Sequence, residues 1–152
     1  MISIVSGPSC VGKSYFLKNK RERLLEIESI EYHHTEVVNW VEFPLGNILD
    51  NTWEDGRKEG KWLDYLLLKV NPVSAIILGV PYSEYKVRIE LRRERNPSRS
   101  RPPLLYNPDV PVNRYKEWIN ELNKNEIPYV FVEAIGDYKV LEEEEFFRML
   151  ND

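Results

Sequence analysis

The chain reads as an α/β domain with a mainly parallel sheet of four to five strands. Two features predict it: short apolar, β-branched runs alternate with stretches of 3.6-residue hydrophobic period, and Gly- and Pro-rich breaks separate them. A third is the unbroken apolar run Ala75 to Val80, of strand length, as expected for a strand buried on both faces.

The elements come in this order. Ile2 to Ser6 is a first strand, ended by Gly7-Pro8-Ser9. From Lys13 a helix is expected, because Phe16, Leu17, Leu24 and Ile27 fall on one stripe of its surface. Glu36 to Phe43, rich in valine and aromatics, is a second strand before Pro44 and Gly46. Leu63, Leu66, Leu67 and Val70 mark a helix that Asn71-Pro72 stops. After the third strand, Ser83 is expected to cap a helix running to about Arg95. Residues 96–112 hold five of the ten prolines and read as a long irregular loop. Tyr115, Trp118, Ile119 and Leu122 share a helix face, with Asn113 the expected cap. Ile127 to Val132 is a fourth strand. The tail from Lys139 reads as a helix with Leu141, Phe147 and Leu150 inward and Glu142 to Glu145 mostly in solvent. Alternation of this kind implies right-handed crossovers and one domain over 1–152.

Composition narrows the function classes. With 21 Lys and Arg against 25 Asp and Glu, the net charge is −4, which argues against nucleic-acid binding through the overall field. It leaves room for a local basic patch. The single cysteine excludes a disulfide framework and a four-cysteine zinc site. The two histidines, His33 and His34, are too few for a histidine-rich metal site. No apolar run approaches the ~20 residues that span a bilayer, and the chain opens directly on a strand-like segment. The expectation is a soluble, cytoplasmic protein.

Residues 7–14 read G-P-S-C-V-G-K-S, matching G-x-x-x-x-G-K-[S/T] between a strand and a helix. Gly7 and Gly12 permit backbone angles closed to other residues. Gly7, Pro8, Ser9, Cys10, Val11, Gly12, Lys13 and Ser14 are therefore the expected phosphate cradle. Its N–H groups form an anion nest, Lys13 reaches the β- and γ-phosphates, and the Ser14 hydroxyl is the metal ligand for Mg²⁺. Cys10 reads as a filler residue within the loop. The motif points to a P-loop NTPase three-layer domain that takes ATP and Mg²⁺. D-x-x-G and N-K-x-D, which a switch GTPase needs, are missing, and Leu78 stands where a metal-orienting acid is often found. Size and a basic segment favour a small kinase.

Residues 35–40, T-E-V-V-N-W, with N-I-L at 47–49 and W-E-D at 53–55, resemble the deoxynucleoside kinases, which carry T-E-P-V-x-x-W at the end of the second strand. The resemblance implies that Glu36 is the base that takes the proton of the acceptor hydroxyl. Val37 replaces the family's proline, and Gly79-Val80-Pro81-Tyr82-Ser83 replaces its acid-Arg-Ser. The match is therefore to the wider group of small P-loop kinases of nucleosides and nucleotides. That group includes phage-encoded kinases of hydroxymethylated pyrimidines, some acting within DNA. Phosphoryl transfer needs one group to orient the acceptor, at a strand C-terminus beside the loop. Glu36, Glu42, Asp50 and Asp55 are the carboxylates considered for it.

From Lys86 to Arg101 there are seven basic residues and two acids. Arg88, Arg92 and Arg95 share a helix face, with Arg93 off it and Arg99 and Arg101 in the Pro-rich stretch. Residues 86–112 are the expected lid. In it Arg92 and Arg95 act on the transferring phosphate and Arg88 helps bind the nucleotide. The plainer alternative is a solvated helix paired with Glu84, Glu90 and Glu94. Tyr82, Tyr85 and Tyr106, or Trp40, Trp53 and Trp62, could stack on a base. The expected activity is transfer of the γ-phosphate of ATP to a hydroxyl of a nucleoside, nucleotide or modified pyrimidine. The alternatives are a kinase acting on DNA or a polynucleotide end, and a non-catalytic nucleotide-binding module.

Overall fold

A computed structural model describes residues 2–8, 10–27, 36–42, 74–95 and 109–152. The first strand is β1 (Ile2–Gly7), followed by α1 (Lys13–Asn19) and α2 (Arg21–Ile27). Next come β2 (Glu36–Glu42), β3 (Ser74–Gly79) and α3 (Tyr82–Arg95). The chain closes with α4 (Asp109–Lys124), β4 (Tyr129–Glu133), β5 (Val140–Leu141) and α5 (Glu143–Leu150). The helix expected around 63–70 lies outside the described residues.

The sheet has five strands in the order β2-β1-β3-β4-β5. β1 pairs in parallel with β2 and β3, and β3 with β4, while β5 runs antiparallel to β4. The fold is therefore α/β with a mixed sheet. From β1 the chain moves to β2 on one side and then crosses to β3 on the other. The carboxyl ends of β1 and β3 thus flank a topological switch point, where open α/β sheets leave a crevice.

Side-chain alternation along β3 builds a core on each face of the sheet. Ala75 and Ile77 join Trp118, Ile119 and Leu122 of α4 and Phe146, Met149 and Leu150 of α5. Ile76 and Leu78 join Phe16 of α1, Leu24 of α2 and Tyr85 and Ile89 of α3. Full burial of each Leu, Ile or Phe contributes about 1.5–3 kcal/mol. Two polar side chains are satisfied inside: Trp118 Nε1 donates to Ser6 Oγ at 2.9 Å, and the Tyr115 hydroxyl donates to the Leu78 carbonyl. Burial pushes the Tyr115 hydroxyl well above its ordinary pKa, with the neighbouring Tyr85 adding to the shift, so it remains a neutral donor. At Gly79, β3 meets α5 so closely that a Cβ would stand 2.5 Å from Phe146 Cζ.

Several boundaries differ from the sequence reading, each for a local reason. The first helix is two, broken at Lys20, whose N–H closes α1 on Phe16 O at 3.0 Å and whose carbonyl opens α2. Phe16 and Leu24 still share one buried face. Pro81, not Ser83, precedes α3: its carbonyl accepts the first helical bond, from Tyr85 N–H at 2.9 Å. Helix α4 starts at Asp109, a turn before Asn113, with Pro111 in the first turn, where a missing N–H costs nothing. The irregular segment expected over 96–112 is thus helical from 109. The tail helix begins at Glu143, because Val140 and Leu141 pair with Val132 and Phe131 as β5. Glu142 to Glu145 are exposed, as expected, and the acids of the first turn suit the helix dipole.

Candidate functional site

The site is the loop that leaves β1 at the switch point. Its shape comes from three residues. A Cβ on Gly7 would lie 2.8 Å from Val11 Cγ1 and 3.0 Å from Leu78 O, so only glycine lets the loop close over β3. Gly12 has φ 102°, a left-handed value that L side chains rarely adopt. Cys10 also turns left-handed, at φ 71°, at a cost of about 1–2 kcal/mol for a non-glycine residue. Val11 is fully buried and anchors the loop to the core under α3.

Lys13, the first residue of α1, is 5% exposed, and its ammonium donates to Gly7 O at 2.9 Å and Pro8 O at 3.0 Å. The side chain is folded back across the loop and brings its charge to the loop's own carbonyls. Ser14 comes next and is exposed. The ladder of α1 begins with Phe16 N–H on Gly12 O at 2.9 Å, so the N–H groups of the first turn lie ahead of it. Ser9 lies outside the described residues. The Leu78 side chain is fully buried in the core, and only its carbonyl borders the loop, at Gly7.

Helix α3 lies alongside. Arg88 donates through Nε to Glu84 Oε1 at 3.0 Å, through Nη1 to Val11 O at 2.8 Å and through Nη2 to Ala134 O at 3.0 Å. Arg92 Nη1 contacts Cys10 Sγ at 3.2 Å. Cys10, Arg88, Leu91, Arg92 and Arg95 line a cleft of about 320 Å³ beside the loop. The helix therefore brings Arg88 and Arg92 of the predicted face onto the loop and Arg95 to the cleft beside it. Arg99, Arg101 and Tyr106 lie outside the described residues.

A second cleft, of about 450 Å³, opens between the loop and the turn after β4, with Gly12, Tyr15, Lys20, Arg88, Ile135 and Tyr138 in its walls. The turn is firmly built. Ala134 N–H bonds Gly79 O at 2.8 Å, Glu133 N–H bonds Lys139 O at 2.9 Å, and Gly136 and Tyr138 adopt φ 61° and 53°. Arg23 Nε holds the Tyr138 carbonyl at 2.9 Å, and the Tyr138 ring stacks on Phe16 with centroids 5.3 Å apart. Burial raises the Tyr138 hydroxyl above its ordinary pKa, an effect the Arg88 charge opposes and Tyr15 reinforces. The sequence reading missed this wall. Its signal was Gly136-Asp137 directly after a strand, a turn at the carboxyl edge of the sheet.

The candidate carboxylates separate by register. Ile2 pairs with Glu36 and Gly7 with Glu42, with one extra residue in β2 between Val38 and Val41. The backbone of Glu42 thus ends β2 beside the loop, whereas Glu36 begins it at the other end of the sheet, roughly 16 Å away along β1. The strand expected over Glu36 to Phe43 is present as Glu36–Glu42, so T-E-V-V-N-W opens it rather than ending it as in the resembled family, and Glu36 lies away from the carboxyl edge. Asp50, Asp55, Trp53, Trp62, His33 and His34 lie outside the described residues. Of the aromatics proposed as base platforms, Tyr85 is core, at 3% exposed. Tyr82 is half-buried on the rim of a small apolar pocket with Pro8 and Val80. Trp40 lies within β2.

Among the described residues, no three His, Cys, Asp or Glu side chains gather to hold a metal ion, and no helix is long and apolar enough to cross a membrane. No protein-family model, curated protein or solved structure matches the chain, so the functional reading rests on the site.

Proposed function

We propose that the chain is a P-loop kinase that uses ATP and Mg²⁺ to phosphorylate a hydroxyl of a nucleoside, nucleotide or modified pyrimidine. The observation that carries this reading is the 7–14 loop at the switch point, with Lys13 closed over its carbonyls and two electropositive clefts beside it. A triphosphate would draw the Lys13 ammonium off two neutral carbonyls onto charged oxygens, a stronger partner. The cleft walled by Tyr15, Arg88 and Tyr138 is the seat for the base, and Arg92 and Arg95 face the phosphates from α3.

Mg²⁺ suits this site only as a passenger on the phosphates. It keeps most of its waters, and the Ser14 hydroxyl would be its ligand from the protein. The protein's own work is to hold the phosphates, exclude water and orient the acceptor. The carboxylate for that last task is Glu42, whose backbone ends β2 opposite Gly7; Glu36 is too far from the loop.

The test is phosphate transfer from radiolabelled ATP to three acceptor sets: free nucleosides, nucleotides and DNA carrying hydroxymethylated pyrimidines. Label in either free set supports the proposal. Label in DNA alone would move the acceptor into the polymer. ATP binding without transfer to any of them would reduce the chain to a nucleotide-binding module.

A further inference from the structure

We propose that Arg88 is a positioning residue: it sets the shape of the phosphate loop by tying the loop to the end of β4. The phosphate ligand rests on the kinase reading; the tie is in the structure. Each of the three guanidinium nitrogens has a partner on a different element. Glu84, one turn back on α3, orients Nε; Val11 O in the loop takes Nη1; Ala134 O at the end of β4 takes Nη2. Only a planar, forked cation spans all three.

The contact with Val11 O matters because it fixes the next peptide group. The peptide joining Val11 to Gly12 is trans and planar, so its C=O and N–H point in opposite directions. Holding the carbonyl toward α3 holds the Gly12 N–H away from it. Gly12 has no Cβ to bias this peptide, and the left-handed Cys10 lies one residue before Val11. Without the bond from Arg88, a flip of this peptide would turn a carbonyl toward the space an anion needs. Arg88 selects one orientation before any ligand arrives. It also lines both clefts, so the same side chain joins the loop to the turn after β4 where the two clefts meet.

This role differs from direct contact with a base, and inorganic tripolyphosphate separates the two, because it engages the loop and has no base. Dissociation constants for Mg²⁺-tripolyphosphate and Mg²⁺-ATP would be measured on the full chain, with thermal melts as a check on folding. Arg88→Ala is expected to weaken both ligands by roughly ten- to hundredfold, the worth of one charge-assisted bond. Added methylguanidinium should restore part of the tripolyphosphate binding. Arg88→Lys should remain impaired for both, because an ammonium keeps the charge but loses the fork. Glu84→Gln leaves Arg88 charged and should weaken both ligands several-fold, which serves if Arg88→Ala does not fold. A loss of ATP binding with tripolyphosphate within about threefold of wild type would overturn the proposal and make Arg88 a base contact. So would wild-type affinity of Arg88→Lys for both ligands, or no loss in any variant. If the wild-type chain bound neither ligand, the kinase reading itself would fail.

Discussion

Replacing Lys13 by methionine separates the loop's chemistry from its stability. In the ligand-free chain the ammonium is 5% exposed and makes two bonds, of 2.9 and 3.0 Å, to Gly7 O and Pro8 O. Each is worth about 1.5–3 kcal/mol, but burying the ammonium costs several kcal/mol, so the two nearly cancel. Methionine keeps the length and packing of the stem. The folded state should therefore change by no more than about 1 kcal/mol, a few degrees in Tm for a chain of this size. In the proposed ATP complex the balance would differ: the ammonium would face charged phosphate oxygens, and losing two such bonds would cost about 3–5 kcal/mol, or roughly 10²–10⁴ in Kd. Displacement of a fluorescent ATP analogue, with calorimetric melts alongside, measures both quantities. A folded Lys13→Met chain that binds ATP within about threefold of wild type would refute the reasoning, because the charge would then not be aimed at phosphate.

Three further outcomes are expected from the same structure. Glu42→Gln should lower kcat by about 10²–10⁴-fold with ATP binding intact, and Glu36→Gln far less; the reverse order in steady-state kinetics would show that the β2 register misplaces the acceptor-side carboxylate. Gly79→Ala should destabilise the fold by about 1–3 kcal/mol in urea titrations, since its Cβ would lie 2.5 and 2.6 Å from two Phe146 ring atoms; an unchanged midpoint would mean that α5 shifts freely. Stability should fall above about pH 10, because the unfolded chain releases the Tyr115 proton there and the folded chain, with that group raised by burial, does not. Tyr115→Phe should be about 1 kcal/mol less stable at neutral pH for want of the bond to Leu78 O, with a shallower alkaline decline; an equally steep decline would assign the titration to other groups.

The sequence by itself determined the parts whose signal is local. A glycine-bounded loop between a β-branched run and a helical stripe needs only its own dozen residues to be read, and the structure builds 7–14 between β1 and α1. The unbroken apolar run of β3 and the 0, 3, 4, 7 spacing of Tyr115, Trp118, Ile119 and Leu122 were legible for the same reason: burial writes its period into the chain. Tertiary structure decided what depends on partners far away in sequence. Glu36 and Glu42 are both acids on one strand, and only pairing with β1, more than thirty residues earlier, shows which of them ends beside the loop. The two residues of β5 are too short to carry a pattern and exist because the 134–138 turn folds them onto β4. Arg88 looked like one of several lid arginines. Its role as a tie became visible only when the fold brought Val11 and Ala134 within reach of one guanidinium, since a hydrogen bond is decided by distance in space and not by spacing along the chain.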